Sequence, residues 1–179
     1  MPSKSALIVV DMLNRYEHED AEPLMDSVRD SLPALQRLLD AAREHGVFTA
    51  YVNDHYGDFT ANRGRLVEDA LGGAHPELVE PIVPAEDLPF LLKARHSIFY
   101  GTQVEYMLRR EEVGRIVLLG QVTEQCILYS ALDAYVRHFE VAVSPDAVAH
   151  IHEDLADAAL RVMERNMSAH LVPADDGAF

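Results

Sequence analysis

Short runs of apolar and β-branched residues recur along the chain, and they predict strands buried on both faces. Four of these runs are well defined, and two shorter ones, near residues 90 and 170, are weaker candidates. The four clear strands are Ala6–Val10, Phe48–Val52, Ile116–Leu119 and Val141–Val143, and the two weaker ones are Phe90–Leu92 and His170–Val172.

Segments with helical spacing lie between these runs. Ser27–His45 places its apolar side chains on one stripe and is followed by Gly46, a residue that commonly ends a helix. Thr102 and Glu105 have the spacing of a capping box, which predicts that a helix begins there. Two further helices are predicted at Cys126–Val136 and Glu153–Met167.

This alternation of strands and helices predicts a single α/β domain over residues 1–179. Right-handed crossovers favour a three-layer α/β/α sandwich with a mostly parallel, Rossmann-like sheet of six strands. In such folds the functional site lies beyond the carboxyl ends of the strands. The least regular segment, Asp54–Asp87, is predicted to be a long excursion with one short helix.

Composition narrows the classes of function. A net charge of −15 argues against a nucleic-acid partner, because phosphate binding needs clustered Lys and Arg. No apolar stretch approaches the roughly 20 residues that span a bilayer, and no signal peptide is recognisable, so we expect no membrane partner. One cysteine among 179 residues cannot form an internal disulfide, which favours a cytoplasmic protein.

Three residues of suitable chemistry lie at the ends of different predicted strands. Asp11 follows the first strand, Lys93 ends an apolar run, and Cys126 lies where a strand and a Gly turn lead into a helix. Each has an ordinary alternative: a cap or turn for the aspartate, a surface charge for the lysine, and a small buried side chain for the cysteine. Their convergence on one sheet edge favours a catalytic site instead.

Three sequence blocks carry a specific resemblance. LIVVDMLN around Asp11, KARHSIFYGT from Lys93 and LLGQVTEQCILYSALDAY around Cys126 resemble the signature blocks of isochorismatase-like cysteine hydrolases, the superfamily of nicotinamidases, N-carbamoylsarcosine amidases and isochorismatases. The resemblance implies that these three residues form the catalytic triad. It also implies a cis peptide at Val122–Thr123, an oxyanion hole made by the N–H groups of Thr123 and Cys126, and a homo-oligomer, either a dimer or a tetramer.

The function implied is hydrolysis of a C–N bond in a small amide, ureido or carbamoyl substrate through a thioester on Cys126. A cationic neighbour and a helix start are expected to depress the pKa of this thiol. Two alternatives stay open. One is isochorismatase-type hydrolysis of a vinyl ether, and the other is a catalytically silent binding protein with the same fold.

The sequence also departs from family patterns. Leu13 stands where relatives often have Gln, and Asn53 stands where metal-binding nicotinamidases have an aspartate. Because Asn brings no charge to a cation, we predict that no metal or other cofactor is needed, with His55 and His75 as the alternative metal ligands. The side chains predicted to line the substrate pocket are His18, Asn53, Tyr56 and Phe59.

Overall fold

The computed structural model describes residues 4–177 and 179, and its centre is one six-stranded sheet in the order β3-β2-β1-β4-β5-β6. Every pairing of neighbouring strands is parallel, so the predicted fold class is confirmed. The chain builds outwards from β1 to β3 and then crosses back to β4, which makes β1 and β4 the switch point of the topology. The strands are β1 Lys4–Val10, β2 Phe48–Asp54, β3 Phe90–Lys93, β4 Val113–Gln121, β5 Glu140–Ala149 and β6 His170–Leu171.

Helices cover both faces of the sheet. Leu7 and Val9 of β1 pack into a cluster with the first two helices, whereas Ala6, Ile8 and Val10 pack into a second cluster with the other three. This period of two gives the three layers their apolar contacts. Within the described residues, none of the helices is long and apolar enough to cross a membrane. The helices are α1 Ala21–Glu44, α2 Arg63–Leu71, α3 Val104–Arg110, α4 Leu128–Val136 and α5 Glu153–Met167.

The first helix is longer than predicted. It begins at Ala21 rather than Ser27, with Pro23 in its first turn, and it continues through Pro33. Proline is tolerated in a first turn, but inside a helix it removes a backbone hydrogen bond. Burial of Leu24, Val28 and residues further along the same stripe offsets that cost, because tertiary packing overrides local propensity.

Other boundaries also differ. β5 extends to Ala149, well past the predicted Val141–Val143, and its pairing with β4 shifts register between Leu118 and Gly120. The capping box is wrong: the Thr102 hydroxyl accepts from the Val104 N–H at 3.2 Å, and Glu105 pairs with Arg137 instead. The long excursion contains α2 and two 3₁₀ turns, Pro76–Leu78 and Glu80–Ile82.

Candidate active site

Asp11 is the first residue after β1, at the switch point of the sheet. Its N–H donates to the carbonyl of Val52 at 3.0 Å, and its own carbonyl accepts from the Gln121 side chain at 2.7 Å. The residue has a φ of 56°, a left-handed conformation that is costly for a side chain other than glycine. Hydrogen bonds to both neighbouring strands therefore hold the carboxylate in a direction that an ordinary strand would not give it.

A glycine in β4 makes this arrangement possible. Gly120 has a φ of +105°, and a Cβ built there would lie 2.2 Å from the carbonyl oxygen of Val10. No side chain fits at that distance, so the backbones of β1 and β4 approach closely only because the residue is glycine. The close approach fixes the spacing between the end of β1, where Asp11 follows, and the end of β4, where Cys126 follows.

Lys93 brings the predicted residues together. It ends β3 and is completely buried, and its ammonium lies 2.8 Å from Oδ2 of Asp11 and 3.7 Å from Sγ of Cys126. A buried lysine is stable as a cation only when acceptors surround it. The structure therefore places the three side chains in mutual contact around a single buried ammonium.

Cys126 lies in a π-helical turn, Thr123–Ile127, that precedes α4. The predicted helix of Cys126–Val136 is thus divided, with the thiol in the π turn rather than in the first turn of an α-helix. Single π turns are frequent at functional sites. The carbonyl of Val122 accepts from Gln125 and Ile127, and the side chain of Thr123 donates to Ala149 at 2.8 Å.

The cis peptide was predicted one residue too late. It joins Gln121 to Val122, rather than Val122 to Thr123. The bond therefore lies at the last residue of β4, where the strand leads into the π turn.

The charges of this cluster act against a free thiolate. Burial raises the pKa of Asp11, although Lys93 partly offsets the effect. Burial, and then the negative charge of Asp11, raise the pKa of Cys126 to about 12, and Lys93 lowers it only in part. Burial alone would lower the pKa of Lys93, but the surrounding acids raise it. The predicted depression of the Cys126 pKa is therefore wrong, because the carboxylate and burial outweigh the cation.

Comparison with known proteins identifies the family of the chain. The sequence model of the isochorismatase domain matches residues 5–176. The chain belongs to the isochorismatase family. It is 29% identical over 166 residues to the uncharacterized isochorismatase family protein YaaI of Bacillus subtilis, covering 93% of this chain and 92% of that protein. Family members are hydrolases, and this chain is one.

Two further relatives carry the names of amidases. Maleamate amidohydrolase of Pseudomonas putida is 26% identical over 165 residues, which cover 88% of this chain and 78% of that enzyme. The crystal structure of N-carbamoylsarcosine amidase from Thermoplasma acidophilum superimposes with a TM-score of 0.76 at 28% identity, and the match covers 98% of this chain and 99% of that one. The whole domain is therefore shared with these hydrolases, and the likeness is not confined to the site.

The residues predicted for the substrate pocket divide into two groups. His18 and Tyr56 line a cavity of about 330 Å³ between the loops after β1 and β2 and helix α2. Asn53 is buried beneath it, where its side chain accepts from the N–H of Leu13 at 2.9 Å and donates to the Leu13 carbonyl at 3.3 Å. Phe59 is 89% exposed and lies against the ring of His55, so it does not line the cavity.

Tyr56 connects this cavity to the cluster around Lys93. Over half of its side chain is exposed, but its hydroxyl donates inwards to the Leu13 carbonyl at 3.2 Å. Burial of the hydroxyl, together with the nearby Asp11 carboxylate, raises the pKa of Tyr56 well above 10.0. The backbone N–H and carbonyl of Leu13 therefore make the polar contacts with Asn53 and Tyr56 that its apolar side chain cannot make.

The two histidines proposed as alternative metal ligands have other partners. Nδ1 of His55 accepts from the Gly57 N–H at 3.0 Å, and Nδ1 of His75 pairs with Glu77 at 3.1 Å. Across residues 4–177, the structure brings together no group of three or more His, Cys, Asp or Glu side chains able to hold a metal. Metal independence stays a prediction for experiment.

Two site residues escaped the sequence reasoning. Asp54 places Oδ2 at 3.3 Å from the Lys93 ammonium, and Nδ1 of His96 lies 4.0 Å from the Cys126 thiol. Neither residue belongs to the site predicted from the sequence. The available signal was position, since Asp54 ends β2, the strand between the two that carry Asp11 and Lys93.

Proposed function

We propose that this protein hydrolyses the C–N bond of a small amide, ureido or carbamoyl compound through a thioester on Cys126. The observation that carries the proposal is the contact of the buried Lys93 ammonium with both the Asp11 carboxylate and the Cys126 thiol. A nucleophile, a base and a cation in contact are what acyl transfer through cysteine requires. The amidases among the relatives support amides as the substrate class.

The first step is acylation. As Sγ of Cys126 attacks the carbonyl carbon, its proton passes to Asp11, so a free thiolate is not needed beforehand. The raised pKa of Asp11 suits it to this exchange, since an acid–base group works best when its pKa lies near the operating pH. Lys93 stabilises the negative charge while it moves from the carboxylate towards the substrate.

The tetrahedral intermediate that follows carries an oxyanion. The backbone N–H groups of Thr123 and Cys126, both in the π turn, are proposed as its donors. When the intermediate collapses, Asp11 returns the proton to the leaving nitrogen, ammonia or an amine departs, and a thioester remains. Asp11 then takes a proton from water, which attacks the thioester and releases the carboxylic acid and the thiol.

Two other functions make different demands on the same residues. Hydrolysis of a vinyl ether would use Asp11 as a general acid and would not need the thiol. A silent binding protein would need no triad. The contact between Lys93 and Cys126 favours the covalent route, because it has a use only if charge develops on the sulfur.

An ammonia-release screen tests the proposal. Nicotinamide, ureido compounds, carbamoyl compounds and other small amides are assayed, with isochorismate as the vinyl-ether substrate. We expect release from at least one amide, loss of it in Cys126→Ala, and a decrease of about 10²–10⁴-fold in Asp11→Asn. Turnover of isochorismate alone, retained in Cys126→Ala, would replace this proposal with the vinyl-ether reaction.

The same assay tests the prediction that no cofactor is required. We expect activity to persist after treatment with EDTA, because Asn53 brings no charge to a cation and the described residues contain no group of three or more His, Cys, Asp or Glu side chains able to hold a metal. Activity lost on chelation and restored by zinc, iron or manganese would overturn this prediction.

We further propose that the protein is cytoplasmic and self-associates as a dimer or tetramer. A single cysteine suits a reducing compartment. Helix α4 exposes Tyr129, Leu132, Tyr135 and Val136, a concentration of large apolar side chains that a second copy of the chain would cover. Sedimentation equilibrium measures the state, and a monomer at micromolar concentration would refute the oligomer.

A further inference from the structure

Lys93 has one more acidic neighbour than the proposed mechanism uses. An ammonium has three N–H groups, and three acceptors surround this one: Asp11 at 2.8 Å, Asp54 at 3.3 Å and the sulfur of Cys126 at 3.7 Å. Asp54 takes no part in acylation or hydrolysis as proposed. Its carboxylate is nevertheless held at the centre of the cluster.

The backbone and side chain of Asp54 are both fixed. Its N–H donates to Oδ1 of Asp11 at 2.7 Å, and its own Oδ1 accepts from the N–H of Tyr56 at 2.7 Å. Asp54 is also in register with Lys93 across the pairing of β2 and β3. The second oxygen, Oδ2, therefore points at the ammonium because three separate contacts place it there.

We propose that Asp54 is a positioning residue that holds Lys93 between two carboxylates and thereby keeps Cys126 a neutral thiol until substrate binds. The inference rests on the proposed function only in taking Cys126 as the nucleophile. The inference itself states that Asp54 disfavours ionisation of the Cys126 thiol.

The argument depends on the charges that face the sulfur. With a neutral thiol, the cluster holds one ammonium and two carboxylates, so a thiolate would add a second uncompensated negative charge to a buried site. The other groups nearby are His96, with Nδ1 at 4.0 Å from the sulfur, and Tyr56, whose pKa is raised well above 10.0, so that it stays neutral. Burial and then the Asp11 carboxylate raise the pKa of Cys126 to about 12, with Lys93 opposing them, so Asp54 would act on the thiol through its contact with Lys93.

Replacing Asp54 by asparagine removes its charge and one of the acceptors on Lys93. Asparagine is nearly isosteric, its side-chain oxygen can still accept from Tyr56, its –NH2 group then faces the ammonium, and the backbone bond to Asp11 is unaffected. The remaining cation then faces one carboxylate, so the thiolate becomes easier to form. A purely structural role for Asp54 predicts a loosened site, where greater access to the sulfur changes the rate by the same factor at every pH. A faster rate without a downward shift of the pH profile would therefore count against the inference.

The rate of alkylation of Cys126 by iodoacetamide measures this without any substrate. Because the chain has one cysteine, every modified molecule reports on the same sulfur. A fall of one unit in pKa raises the thiolate fraction about tenfold, and the lower nucleophilicity of the weaker base reduces the gain in rate to about threefold. We expect Asp54→Asn to react at least about threefold faster than the wild type at pH 7.5, and its profile of rate against pH to shift downwards by about one unit.

Two variants serve as controls. Asp133→Asn removes a carboxylate that pairs with Arg137 on α4 at 2.7 Å, and it should leave the alkylation rate unchanged. Asp54→Glu keeps the negative charge and should react at close to the wild-type rate. Thermal unfolding followed by circular dichroism establishes that each variant is folded.

Several results would overturn the inference. These are an unchanged or slower rate in folded Asp54→Asn, an equal rise in Asp133→Asn, or a rate in Asp54→Glu matching that of Asp54→Asn. If Asp54→Asn does not fold, the alkylation rate of the wild type is compared with that of free glutathione at pH 7.5. Equal rates would show that the thiol of Cys126 is not restrained. A failure of the proposed function is recognised separately. Turnover retained in Cys126→Ala would refute the thioester mechanism, but it would not change the alkylation rates of the Asp54 variants.

Discussion

The middle of β1 and the residue that follows it belong to different kinds of structure. Ala6–Val10 is completely buried, and its side chains alternate between two apolar clusters. One residue later, Asp11 has a left-handed backbone and a buried carboxylate bonded to a buried lysine. The first region stabilises the domain by removing apolar surface from water. The second has to offset burial of charge before it contributes anything.

The difference indicates which region stabilises the fold and which region gives up stability for function. The apolar strands tolerate conservative exchange, because packing there depends on volume. The carboxyl edge depends on particular atoms, since the carboxylates of Asp11 and Asp54 share a single cation, Lys93. Substitutions at the edge should therefore have effects out of proportion to their size, and these can be measured against matched changes elsewhere in the sheet.

The largest expected effect is on activity at the edge. Cys126→Ala should lower kcat by at least about 10⁴-fold against the best amide found, because removing a nucleophile leaves only residual binding and polarisation. The free energy of unfolding should change little, since alanine fits where a small thiol lay. Urea unfolding of the same preparation provides the control, and a fall in kcat that follows a loss of folded protein would not support the catalytic role.

A charge substitution compares the edge with the middle directly. Lys93→Met leaves the buried Asp11 beside the half-buried Asp54 without a cation, so we expect a loss of about 3–5 kcal/mol in the free energy of unfolding. Ile8→Val, a volume change in the middle of β1, should cost about 0.5–1.5 kcal/mol. Chemical denaturation at pH 7.5 measures both. Equal losses would remove the distinction between the two regions.

Glycine substitutions sharpen the same comparison. Gly120→Ala pushes a Cβ against the Val10 carbonyl and should destabilise the protein by about 3 kcal/mol while separating the ends of β1 and β4. Gly46 also has a positive φ, +64°, but a Cβ there has nothing within 4 Å. Gly46→Ala should therefore cost only about 1 kcal/mol and leave activity intact. Similar losses of stability in the two variants would show that the positive φ, and not the close approach of Val10, makes glycine necessary at position 120.

The smallest expected effect is a pH dependence of stability. The folded pKa of Cys126 is raised from 9.0 to about 12, so above pH 9 the folded state keeps a proton that the unfolded state releases. Stability of the wild type relative to Cys126→Ala should fall as the pH rises above 9, by about 1 kcal/mol between pH 8 and pH 10. Urea unfolding at pH 8 and pH 10 measures this difference. The buried tyrosines are present in both proteins, so their ionisation cancels in the comparison. A difference that does not change with pH would mean that the thiol is not restrained.

The sequence predicted the regions governed by repetition. Continuous apolar and β-branched runs predicted the strands of the sheet, and strand ends predicted where Asp11 and Lys93 would lie. Features that depend on contacts between distant segments were not predictable: the start of α1 at Ala21, the π turn at Cys126, and the second carboxylate on Lys93. The direction of the Cys126 pKa was wrong for the same reason, because the helix start was counted and the buried carboxylates were not.

The most direct test of the covalent mechanism is the intact mass of the protein during turnover. Enzyme mixed with its best amide substrate and quenched in acid should carry the mass of the acyl group without its amine, and the increment should be absent from Cys126→Ala. Peptide mapping should place the group on Cys126. Turnover with no acylated protein at any time, together with activity retained in Cys126→Ala, would contradict the thioester mechanism.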